Sequence, residues 1–93
     1  MILSSTFKTQ NSNVHLSKLC RMFARKVPVS MIQNKARIEF ATGICRIEST
    51  ASQLFFYIEA AHTDLAQPIQ KSIEEHLEKT IKDNNLILKW QAL

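Results

Sequence analysis

Residues 36–59 read ARIEFATGICRIESTASQLFFYIE, and the alternation within this stretch decides what kind of domain the chain makes. Ala36, Ile38 and Phe40 alternate with Arg37 and Glu39, and Cys45 and Ile47 alternate with Arg46 and Glu48. A period of two places the apolar side chains on one face of a strand and the charged ones on the other. Ala41-Thr42-Gly43 supplies one tight turn, and Thr50-Ala51-Ser52 a second, leading into Leu54-Phe55-Phe56-Tyr57-Ile58-Glu59. Three half-buried strands joined by short turns predict an antiparallel meander.

On either side of the meander the period changes. Leu16, Leu19, Cys20, Phe23 and Ala24 recur at i, i+3, i+4, i+7 and i+8, which is an amphipathic helix. Asn11-Ser12-Asn13 offers capping side chains at its start, and Pro28 biases the preceding residue to extended geometry, so the helix should end near Lys26. Leu65, Ile69, Ile73, Leu77 and Ile81 mark a second helix, opened by Thr63 and Asp64 and ended by Asn84-Asn85. Pro68 is compatible only with its first turns, so regular helix could begin there. Glu75–Lys79 and Glu78–Lys82 are i, i+4 pairs on its wet face. Residues 2–8 form a strand with Leu3, Ser5 and Phe7 on one face, Val27–Met31 is a further short strand candidate, and Leu86, Leu88 and Trp90 alternate in a last one. The expected fold is one α+β domain over residues 1–93. It is a two-layer sandwich in the order β-α-β-β-β-α-β, with two helices on one face of a mainly antiparallel sheet.

Ninety-three residues suffice for one core under a few elements. No apolar run approaches the ~20 residues that span a bilayer, and the start lacks the basic and apolar regions of a signal peptide, so the expectation is a cytoplasmic protein without membrane contact. Cys20 and Cys45 then stay as free thiols. The single glycine, Gly43, excludes glycine-rich phosphate loops and dinucleotide fingerprints, and no cofactor is expected. The net charge is +4, with residues 1–60 at +5 and residues 61–93 at −1. The field is mild and favours anionic partners only modestly.

Two candidate sites and one further functional class are weighed from the residues. Cys20, Cys45 and His76 come from helix and sheet faces that meet, so together they could ligate a metal ion. Zinc-type spacing such as CxxC or HExxH is absent, however, and Cys20 lies within the apolar stripe with Arg21 about 100° away around the helix. The second site is the outward sheet face. If Leu54, Phe56 and Ile58 face the helices, Phe55 and Tyr57 face away, near Arg37 and Arg46 and beside Ile87 and Lys89. Such a face suits a protein partner or a homodimer. It could also stack single-stranded nucleic acid, although Glu39, Glu48 and Glu59 would repel phosphate. Third, a hydrolase or transferase would need a marked nucleophile and base, and no such pattern is present. The residues favour a non-enzymatic binding or accessory protein.

LCRMFARKVPV (19–29), RIEFATGICRIES (37–49), YIEAA (57–61) and EEHLEKTIKDNNLILKW (74–90) together resemble the bacterial domain-of-unknown-function 2218 family. The resemblance spans nearly the whole chain. Cys20, Phe23, Lys26, Gly43, Cys45, Glu59, His76, Leu77, Glu78 and Trp90 match the family's residue types. Members are small stand-alone proteins or segments attached to siderophore-interacting reductases, which implies a role near iron or siderophore handling. Met22 and Arg25 stand where the family usually has histidines. Any metal or proton role of those histidines is therefore lost here.

Overall fold

A computed structural model describes residues 1–82 and 86–93. The elements are β1 (Ile2–Lys8), α1 (Ser12–Ala24), β2 (Val29–Ile32), β3 (Lys35–Phe40), β4 (Gly43–Ser49), β5 (Gln53–Glu59), α2 (Thr63–Ile81) and β6 (Gln91–Ala92). Val29–Ile32 is thus a full strand, and four strands rather than three stand between the helices. They form one six-stranded sheet in the order β2-β3-β4-β5-β1-β6, and every pairing among the described residues is antiparallel. β1 inserts between β5 and β6, pairing with β5 from Ile2↔Glu59 to Lys8↔Gln53.

Both helices pack against one face of the sheet. Leu16, Leu19 and Phe23 of α1, Ile69, Ile73 and Leu77 of α2, and Ile38, Ile47, Leu54, Phe56 and Ile58 of the sheet are all removed from solvent. Each such side chain contributes about 1.5–3 kcal/mol through burial. The alternation read from residues 36–59 is therefore the alternation of burial. Among the described residues, no helix is long and apolar enough to cross a membrane.

Several local expectations are corrected. Ala24, placed in the apolar stripe by its spacing, is exposed, because α1 stops there and the chain turns toward β2. Neither helix is capped by the side chain at its N-cap position. Instead Ser12 Oγ donates to the Thr50 carbonyl and Ser49 Oγ donates to Asn13 Oδ1, so the polar start of α1 ties the helix to the β4–β5 turn. α2 begins at Thr63 and contains Pro68. Glu75–Lys79 and Glu78–Lys82 do not come within ion-pair distance. Leu86–Trp90 is not strand: Leu86 and Leu88 are buried in alternation, but ladder pairing with β1 starts only at Gln91 and Ala92. Asn84 and Asn85, expected to end α2, lie outside the described residues. The last described turn ends on Lys82 in the left-handed conformation, its N–H donating to the Glu78 carbonyl.

Candidate functional site

The sheet face turned away from the helices carries the residues singled out as an interface. Register brings them together: Ser30, Arg37, Arg46, Tyr57, Ser4 and Gln91 are successive cross-strand partners on β2, β3, β4, β5, β1 and β6. The adjacent row on one side is Ile32, Lys35, Glu48, Phe55 and Thr6, and on the other Glu39, Ile44, Glu59 and Ile2. Partners directly opposite have Cβ atoms ~5 Å apart, so these side chains form one continuous surface.

Two arginines face each other across β3 and β4, which by itself is repulsive. Carboxylates relieve it. Arg46 Nη1 donates to Glu59 Oε2 at 2.8 Å, and Arg37 Nη2 lies 3.5 Å from Glu39 Oε1. All four side chains are about half exposed, so each pair adds little to stability; their effect is to orient the arginines. The hydrogen bond from Arg46, helped by its charge, holds the Glu59 carboxyl below the usual carboxylate range. Between Ser30, Ile32, Lys35, Arg37, Arg46 and Tyr57 lies a depression of about 670 Å³. Tyr57 is exposed and Phe55 half-buried at its side. Ile87 and Lys89 border a separate hollow above Ser4 and Thr6.

Ser30, Ile32 and Ile44 belong to this surface but were not singled out from sequence. The first two sit on β2, whose four residues are too few to show an alternation. Ile44 looks like a core residue by type, but it lies two residues before Arg46 and so shares its outward face, where register sets it opposite Glu39.

Cys20, Cys45 and His76 are all buried. Among the described residues, no three His, Cys, Asp or Glu side chains gather closely enough to hold a metal ion, so this trio forms no three-ligand centre. Burial raises the Cys20 thiol and pushes Cys45 much further up, which keeps both protonated, whereas a ligand or nucleophile must be a thiolate. The His76 ring stacks on Phe23, with centroids 4.2 Å apart and planes at 27°. Its Nδ1 lies 2.7 Å from the Ser72 carbonyl, which can only accept, so Nδ1 donates back to its own helix. His15 on α1 is held below its usual range by burial and by Lys18. His62 is exposed ahead of α2.

The comparisons agree with this architecture. The family model described as "Uncharacterized protein conserved in bacteria (DUF2218)" matches residues 4–91. The NMR structure of PA4090 from Pseudomonas aeruginosa is similar in fold, with a TM-score of 0.81 and 18% sequence identity, over 97% of this chain and 94% of that one. At that identity the likeness establishes the fold alone. No curated protein matches the sequence. With one family model accounting for almost every residue, the chain belongs to the bacterial uncharacterised family DUF2218.

Proposed function

We propose that the chain is a non-enzymatic, cytoplasmic binding module that associates through the open face of its sheet, with a second copy of itself as the partner. The observation that carries this reading is the cross-strand row Arg37–Arg46–Tyr57, with Phe55 beside it and carboxylates around it. Tyr and Arg are the side chains that most often anchor protein interfaces, because each combines a large contact area with a polar end.

Charge supports a like partner. Over β3, β4 and β5 the face presents Lys35, Arg37 and Arg46 against Glu39, Glu48 and Glu59. A balanced mosaic repels a polyanion at its carboxylates but complements another mosaic. Two copies related by a two-fold axis would set cations of one against carboxylates of the other, the self-complementarity of isologous contacts.

Light scattering tests this. The protein should run at twice its chain mass, and Phe55→Ser with Tyr57→Ser should return it to the mass of one chain. A single-chain mass for the unaltered protein at high concentration sinks the proposal, as does an unchanged dimer in the double variant.

A further inference from the structure

A second surface, on the helix side, is independent of the sheet face. Lys18, Arg21 and Arg25 follow one another at i, i+3 and i+7 along α1, and Lys79 and Lys82 stand three residues apart at the end of α2. All five line one open cleft of about 310 Å³ between the ends of the two helices. Its floor is fixed: Thr80 Oγ1 donates to the His76 carbonyl at 2.9 Å and contacts Met22 Sδ at 3.4 Å, joining α2 to α1 beneath the charged side chains.

Offsetting helix dipoles explains only part of this cluster. Two helix C-termini carry about −0.5 each, so the five cations exceed what the dipoles call for several-fold. Among the described residues no acidic side chain lines the cleft; Glu75 and Glu78 line a neighbouring hollow that shares Lys79 and Lys82 with it. Among the described residues, none of the five cations is within ion-pair distance of a carboxylate. Asp83, the next residue in the chain, lies outside them. The whole chain has a net charge of +4. With five cations and no described carboxylate in its lining, the cleft is locally positive and attracts anions.

The shape of the cluster selects among anions. Five cations around one small hollow match several negative charges packed into a few ångströms. They do not form the extended track that a nucleic-acid strand follows. Among the described residues no aromatic side chain lines the cleft, so none of them there stacks on a base. Arg21 and Arg25 bring planar forks that bind phosphate oxygens in pairs, and the lysines add mobile point charges. We propose that the cleft between the ends of α1 and α2 binds a compact polyphosphate group, an inorganic tripolyphosphate or the phosphate tail of a nucleotide, through Lys18, Arg21, Arg25, Lys79 and Lys82.

Isothermal titration with sodium tripolyphosphate at low ionic strength tests this. One site per chain is expected, weakening as salt is added, because the screening length falls to about 8 Å near physiological ionic strength. Arg21→Gln with Arg25→Gln, and separately Lys79→Gln with Lys82→Gln, should each weaken binding by about tenfold or more, since each pair removes two close Coulomb partners. Lys8→Gln with Lys89→Gln removes the same net charge away from the cleft and should leave binding within about twofold, because screened distant charges contribute little. Thermal unfolding of each variant confirms that it is folded. ATP should bind like tripolyphosphate, and AMP much more weakly. The proposal is overturned by no binding at low salt, by equal losses in the Lys8/Lys89 control, or by ATP binding far more tightly than tripolyphosphate.

Discussion

Where Gly43 would carry a Cβ, the space is already taken. That atom would overlap the Glu59 carbonyl oxygen of β5 and lie 3.1 Å from Ile69 Cδ1 and 3.2 Å from Ala60 Cβ. The glycine does not adopt a positive φ, so its purpose is close approach between β4, β5 and α2 rather than the left-handed turn that its place after Ala41-Thr42 suggests. Gly43→Ala should lower stability by roughly 1–3 kcal/mol, the usual range for overpacking a tight site, with the loss read from chemical denaturation. An unchanged midpoint would mean that β5 can shift at no cost. The glycine was visible in the sequence, and so was the turn. The reason for it was not, because Glu59 and Ile69 come from elements that local pattern does not place beside it. Cys20 shows the opposite case: the helical period alone turned it into the core, and burial then decides its chemistry.

At the scale of elements, the strands and helices that alternate cleanly were legible, and the ones that are short or irregular were not. β3, β4, β5 and α2 follow their apolar periods closely. The last segment, Leu86–Trp90, alternates equally well yet lacks ladder pairing, since burial of Leu86 and Leu88 needs only an extended chain against the core. The polar residues before α1 look like caps and act as tethers to the β4–β5 turn, a use that depends on tertiary contact. α2 departs from expectation by running through Pro68. The missing N–H at that position leaves the Asp64 carbonyl without its helical donor, on an exposed side where water can reach it. Restoring the donor with Pro68→Ala should raise stability by about 1–2 kcal/mol, the helix gain being partly offset by a more flexible unfolded chain. Thermal unfolding would register this as a higher Tm. A lower Tm would show that the proline ring itself positions the start of α2.

For the whole molecule, sheet order and charge placement were the properties least accessible from sequence. The apolar face of β1 was clear from Leu3, Ser5 and Phe7, but nothing local says that its neighbours are β5 and β6. The halves of the chain differ in charge, yet Lys79 and Lys82 of the acidic half join Lys18, Arg21 and Arg25 in the basic cleft. The candidate interface was half legible for the same reason: alternation put Arg37, Arg46, Phe55 and Tyr57 outward, and only register could make them neighbours. One further consequence comes from the β1–β6 pairing. The Leu93 N–H donates to the Ile2 carbonyl at 2.8 Å, so the first and last residues sit on adjacent strands. Leu93 thus lies beside Ile2, at the start of β1. A circular permutant that joins the two ends through a short flexible linker and opens between Ala41 and Thr42 keeps every strand's neighbours. It should unfold in one cooperative transition with a modest loss of stability, because closing a short loop costs little where its ends already meet. Loss of cooperativity in that permutant would instead show that the β3–β4 connection must be intact for the sheet to form.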